Sequence, residues 1–365
     1  MKIRNIKLLT SDNMFIGKIK KIFSYSFPVL LMLIFLYMAF SNINFSEVLS
    51  LIGNMSVYWF VIYLLVWFFS HVIRAYRWKI IIKSVKENTS IFNLFSAVMV
   101  GYGVNCVVPR LGELYRGLFL GRWENISRSS MVGTIVVERV IDILVLGISV
   151  LISVAVYSGN LFTQISWLKS TVYVGFTVII GIIVFLILIV RFKENFYNAI
   201  LKFVGKFSHK LADLLAKGFH LLTEGFSSLK GTKNITMVVL LSVFIMYLYG
   251  LTAYFSLLSL HMDKYQPVSY SMAWIIMTIS AFGIIIPTPG ATGSYHLIVI
   301  SVLVNLYSFN NEISGAFAIL THTSTYILFI LSTVILTIII NNNQKRKGMP
   351  VANFLTAFRS KEKLQ

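Results

Sequence analysis

The sequence predicts an all-α polytopic membrane protein with about six full spans, two broken re-entrant hairpins and an inverted repeat. Three observations predict it. Hydrophobic residues make up 57% of the 365 positions and charged residues only 12%, where a soluble domain carries about 25% charged. The apolar residues gather into runs of roughly 20, the length that crosses a bilayer as a helix. Lys and Arg fall almost wholly into alternate connecting segments, the bias that orients membrane proteins.

The six expected spans are 24–41, 55–74, 130–157, 168–190, 234–260 and 314–340. The basic N-terminus followed by an apolar run resembles a signal peptide. Its basic region is long, however, and SNINFSE offers no small-x-small cleavage site, so the run is read as a retained first span. The tail to Lys21, residues 74–90, 110–128 and 191–233, and the tail after 340 hold 29 of the 32 Lys and Arg. Segments 42–56, 158–167 and 308–313 hold none. Both termini are therefore expected in the cytoplasm, with the protein in the cell's inner (cytoplasmic) membrane. The net charge of +19 then belongs to cytoplasmic loops, and nucleic acid is not an expected partner. A single cysteine, Cys106, excludes an internal disulfide and cysteine metal clusters.

Two apolar regions are interrupted. Residues 92–108 run into VVPRLGELYRGLFLGR, and 268–286 run into PTPGATG before 294–307. The first starts and ends on basic, cytoplasmic segments, so it enters the membrane and returns. The second starts and ends outside, and is either a hairpin or two short spans; its prolines and glycines favour the hairpin. Pro109 removes a backbone donor and Gly112 permits a sharp turn. A new helix is expected to start near Gly112 with Glu113 in its first turn. Pro287, Pro289, Gly290 and Gly293 break the second region.

Each half then reads span, span, broken hairpin, span, with opposite starting sides, which is a recurring transporter plan. The expected organisation is one integral membrane domain over 1–365. It has a first half at 22–157, a second half at 168–340, and an amphipathic cytoplasmic connector at 191–233. VVPRLG at 107–112 echoes IIPTPG at 285–290.

The third full span holds Glu138, Arg139 and Asp142, about 12–18 Å along the helix from Ser130 at 1.5 Å per residue. Each charge costs about 2.5–3.5 kcal/mol at a helix centre, so all must be paired or hydrated. Arg139 can reach Asp142 at i,i+3. Arg110 and Arg116 are the expected partners for the remaining acids, and could instead clasp a phosphate. His71, Arg74 and Arg77 end the second span and are read as interfacial anchors. His296 and His322, without a nearby acid, make a poor metal site. No cofactor or metal is expected.

Taken together, NCVVPRLGELYRGLFLGR, VVERVIDILVL and IIPTPGATGSYH resemble the transmembrane region of lysylphosphatidylglycerol synthases, a flippase-like family with stand-alone members. Asn105, Pro109, Gly112, Glu113 and Arg116 match its first motif, and Glu138, Arg139 and Asp142 its second. Pro287, Pro289, Gly290 and Gly293 match its third. Ala291 stands where glycine is common, and His296 where other branches carry an acid. The fused members add an aminoacyl transferase domain, for which the 25 residues after the last expected span leave no room. The resemblance implies lipid transport or lipid binding. The expected function is a translocase for a phospholipid or lipid-linked headgroup, with membrane lipids as partners and a homo-oligomer left open. The substrate-binding set is Asn105, Arg110, Glu113, Arg116, Glu138, Arg139, Asp142, His296 and His322, with no catalytic residue. The competing readings are an integral membrane enzyme acting on a lipid-linked sugar or headgroup, and a partner-dependent membrane subunit.

Overall fold

A computed structural model describes residues 26–83, 85–157, 159, 161–164, 168–170, 172–177, 180–181, 184, 200–209, 211–213, 216 and 231–355. The described residues form helices and turns, with no strand among them. We label α1 (26–40), α2 (Phe45–Gly53), α3 (Val57–Ile82), α4 (Ile91–Val107), α5 (Gly112–Glu124), α6 (Arg128–Val156), α7 (Thr232–Ser259), α8 (Tyr270–Ile285), α9 (Ser294–Tyr307) and α10 (Asn311–Arg346). About half of the expected fourth span, 168–190, and most of the connector at 191–233 lie outside the described residues.

Most starts follow local chemistry. Asn44, Ser90, Ser127, Ser269 and Asn310 each accept a first-turn backbone N–H from their own helix, which fills one of the donors that every helix start leaves free. Helices α3, α7 and α10, and the run Pro289–Tyr307, are long and apolar enough to cross a membrane; the pair α1–α2, bent by 84°, makes a fifth if taken as one span. Helix α6, at 29 residues, is also long enough but carries the buried charges. Helix α2 was not anticipated: residues 42–56 read as a plain outer loop.

Helices α3 and α7 pack antiparallel along their length. The Ser56 N–H donates to the Ser259 carbonyl at 2.7 Å at one end, Trp59 stacks on Phe255, and Arg77 reaches the Ser242 hydroxyl toward the other. The C-terminal end of α3 leads into α4–α5, and the C-terminal end of α7 leads into α8–α9. The two broken regions therefore enter from opposite ends of this pair.

Both are hairpins. The ends of the first are fastened by Glu124, which accepts from the Lys86 amine at 2.6 Å, the Asn93 amide at 2.7 Å and the Ser90 N–H at 3.3 Å. The ends of the second are joined by the Gln266 amide, which donates to the Tyr307 carbonyl. Their tips meet. Arg110 donates to the Ile285 carbonyl at 2.8 Å, and Tyr326 of α10 donates to the Cys106 carbonyl at 2.8 Å. VVPRLG and IIPTPG, separated by 178 positions, thus touch at mid-molecule.

The first limb of each hairpin packs on the long helix that follows the other one. Thr333 of α10 donates to the Met99 carbonyl of α4 at 2.8 Å. Trp274 of α8 donates to the Ser149 carbonyl of α6 at 3.2 Å, and the Thr278 and Ser153 hydroxyls pair at 2.6 Å. This exchange is the arrangement expected of two inverted copies. Two apolar cores result, one around each hairpin.

Candidate functional site

Helix α3 buries a stripe made of Trp67, Ser70, His71, Arg74, Arg77 and Trp78, which recurs at three and four residues and so faces one way. Helix α6 turns Thr134, Glu138 and Asp142 toward it by the same spacing. Where the stripes meet, Glu138 Oε1 accepts from Arg77 at 3.0 Å and forms an ion pair with Arg74 at 3.1 Å, and Oε2 accepts from Arg116. Asp142 accepts from Arg77 at 2.6 Å and from Arg74. Arg116 lies 4.2 Å over the Trp78 ring, a favourable face for a cation. Arg74 donates to the Tyr249 hydroxyl at 3.2 Å. One carboxylate thus ties the returning limb of the first hairpin to α3 and α6, and the arginines carry the tie on to α7.

The inner end of this cluster is sealed: side-chain exposure is 0% at Glu138, 2% at Arg77 and Arg116, and 5% at Arg74. The outer end is open. Arg139 is 37% exposed, Glu113 32% and Asp142 22%. Arg139 bridges the two acids, at 3.2 Å from Glu113 and 3.5 Å from Asp142. Four arginines face three carboxylates, which leaves one surplus positive charge, and Arg139 is the most exposed of the four. The Nε–H groups of Arg74, Arg77, Arg116 and Arg139 find no acceptor among the described residues. Glu113 Oε2 is likewise without a hydrogen-bond donor among the described residues; buried polar atoms without partners are uncommon, and of these groups only those of Arg139 and Glu113 lie at the open end.

The structure changes several expected roles. His71, Arg74 and Arg77 are not interfacial anchors. Helix α3 runs on to Ile82, eight residues past the expected end, and all three are buried within it. His71 Nδ1 lies 2.8 Å from the Trp67 carbonyl. Arg74 and Arg77 are the principal cations that sequence reasoning left out of the site. Their three-residue spacing, in phase with Trp67, Ser70 and Trp78, was the available signal. Arg116 pairs with Glu138 as expected, but Arg110 does not reach the acids. It is exposed, with φ 66°, and spans the hairpin tips instead. The left-handed residue of the turn is therefore Arg110 and not Gly112. Gly112 is glycine for a different reason: a Cβ there would lie 1.9 Å from the Gly101 carbonyl oxygen. Helix α5 starts at Gly112 with Glu113 in its first turn, as expected. Asn105 accepts the Gly112 N–H at 2.8 Å, which fills a free donor of that helix start.

The second hairpin tip forms an uncharged polar group. His296 and His322 have ring centroids 4.5 Å apart. The Gly293 N–H donates to His296 Nδ1 at 3.2 Å, which places the histidine's proton on Nε2, and His322 Nε2 lies 2.9 Å from the Gly290 carbonyl. Both histidines therefore hold the break rather than face the charged cluster. Pro289 opens a single 3-10 turn, and Gly290, Ala291 and Gly293 all have positive φ. Ala291, at φ 59°, occupies a conformation that glycine enters without steric cost. Pro287 and Thr288 lead into that turn, where Thr288 Oγ1 and Ser294 Oγ pair at 2.9 Å. Tyr326→Phe, which removes the donor to Cys106, should lower stability by about 0.5–1.5 kcal/mol. Thermal unfolding in detergent would measure it, and an unchanged midpoint would show that the tip contact carries no weight.

Comparison with known proteins gives one family and two relatives. The model of the lysylphosphatidylglycerol synthase TM region matches residues 25–332. UPF0104 membrane protein MJ1595 of Methanocaldococcus jannaschii is 23% identical over 331 residues, covering 88% of this chain and 97% of that protein. UPF0104 membrane protein MJ1078 of the same organism is 29% identical over 231 residues, covering 60% of this chain and 84% of that protein. No solved structure matches the chain.

Proposed function

The chain belongs to the lysylphosphatidylglycerol synthase transmembrane-region family, and from that premise we propose that it is a lipid translocase that takes up an anionic headgroup at Arg139. The observation that carries the reading is the surplus positive charge at the open end of the buried cluster, beside the returning limb of a hairpin. Intramembrane charges of this kind mark substrate paths more often than scaffolding, and hairpin breaks that meet between inverted halves are where transporters bind.

A phosphate that approaches Arg139 competes with Glu113 for it. Release of Glu113 loosens the open side of α5 from α6, while Arg116 and Glu138 hold the sealed side. The first hairpin then pivots about Arg116, against a second hairpin that its tip touches through Arg110. The headgroup passes between the tips and the acyl chains stay in lipid. In this reading both termini are cytoplasmic, the membrane is the cytoplasmic membrane, and loading occurs from the side where α3 ends.

The test is reconstitution of the full chain into vesicles that carry labelled phospholipids or prenyl-phosphate lipids. Arg139→Ala should cut the translocation rate by about tenfold or more, the loss that goes with one charge-assisted bond of roughly 1.5–3 kcal/mol. Its thermal midpoint should barely move, because half-exposed ion pairs contribute about 0–1 kcal/mol. If no lipid crosses faster than in empty vesicles, or the variant transports like the parent, the proposal fails. Lipid profiling of a deletion strain separates an enzyme from a translocase: a missing chemical species favours the enzyme, and a species stranded in one leaflet favours transport.

A further inference from the structure

A second feature lies on the opposite face of the first hairpin. Between α4, α5 and α10 runs a groove of about 300 Å3, walled by Val104, Val107, Leu111, Tyr115, Val334 and Phe354. Its walls are almost wholly apolar, so it suits a length of hydrocarbon rather than a headgroup. Val107 is 68% exposed at its mouth. One end is closed by the chain itself. After Gly348 (φ 66°) the backbone turns back along α10. Asn341 clasps both the N–H and the carbonyl of Ala352, at 3.0 and 2.7 Å. Tyr115 donates to the Phe354 carbonyl at 3.1 Å, and Arg122 to the Val351 carbonyl at 3.2 Å.

Beyond this strap α10 ends in Lys345 and Arg346, with Lys347 as its cap, and all three are exposed. From Lys345 back to Val334 is about 16 Å along the helix, and back to Ile330 about 22 Å, at 1.5 Å per residue. Half of a bilayer with its headgroups is about 20–22 Å. A lipid whose phosphate sits at Lys345–Lys347 therefore has the distal part of a chain at the depth of the groove.

We infer that this groove is a binding site for the distal part of one acyl chain of an anionic phospholipid in the leaflet where α3 ends, entered from its open side at Val107, with Phe354 closing the end nearer the headgroup. The site goes beyond the translocase reading, since occupancy requires no transport. The experiment uses the full chain in phosphatidylglycerol vesicles doped with an analogue that carries a diazirine near the distal end of one acyl chain. After irradiation, labelled peptides are mapped. Labelling of 103–115 and 330–334 should exceed that of the exposed α7 stretch 235–243 several-fold, because a chain held in the groove stays beside those walls while lipid along an open helix face exchanges. Val107→Trp fills the groove from an exposed position and should remove that excess while leaving α7 labelling unchanged. Val334→Trp does the same from the facing wall and serves if the first variant does not fold. Labelling that is even across α7 and the groove, or that ignores both tryptophans, overturns the site. With the analogue on phosphatidylcholine, groove labelling should fall several-fold, because each Lys or Arg near the surface favours anionic lipid. Equal labelling overturns the anionic choice.

Discussion

Glu138→Ala should destabilise the protein by about 3–5 kcal/mol, the usual consequence of leaving a buried charge without its partner. Glu138 is fully buried and pairs with Arg74, Arg77 and Arg116. When it is removed, Arg74 and Arg77 keep Asp142. Arg116 keeps only Glu113, at 3.7 Å. Arg116 is thus the cation left stranded, 2% exposed, on the limb that must stay docked. The variant should show a much lower thermal midpoint in detergent and a large loss of monodisperse protein. Arg116→Leu added to Glu138→Ala should recover part of the loss, since it removes the stranded charge. A double-mutant cycle would show this as coupling between the two positions. If the double variant is no more stable than the single one, Glu138 is not holding the hairpin through Arg116.

Gly112→Ala should cost about 3 kcal/mol, at the upper end of what overpacking usually does. The new Cβ would lie 1.9 Å from the Gly101 carbonyl oxygen and 2.6 Å from the Asn105 side chain. A backbone carbonyl cannot step aside as a flexible side chain does, so α4 and α5 must separate. Separation breaks the Asn105–Gly112 hydrogen bond and draws Arg116, one turn further along, away from Glu138. Stability and transport should therefore fall together. Gly53→Ala is the control, because nothing lies within 4 Å of a Cβ there; it should stay within about 0.5 kcal/mol of the parent. Equal midpoints for the two variants would show that the hairpin limbs are not in close contact.

Particular residues show how far the sequence could be read. The first hairpin was legible because basic segments flank an apolar run on the same side, and because Pro109 and Gly112 break it. The start of α5 and the pairing of Arg116 with Glu138 were legible because a buried carboxylate demands a cation and few are at hand. The place of Arg74 and Arg77 was not. A span's end is read where hydropathy falls, and arginines buried against another helix lower hydropathy as much as arginines in water do. The expected boundary at residue 74 thus fell eight residues short of Ile82. Gly112 was read as the turn residue, where Arg110 takes the left-handed place, because glycine is the usual left-handed residue and its other use, close approach of backbones, leaves no mark in one sequence.

By itself the sequence determined the helical membrane class, the two breaks and the presence of intramembrane charge, since these follow from composition and from spacing within single helices. Only the tertiary structure decided which arginine meets which acid, that the two hairpin tips touch, and that Arg139 is left at the open end. Those outcomes depend on how helices far apart in the chain are packed side by side, and for charges in a low-dielectric interior a few ångströms of packing separate a paired group from a free one.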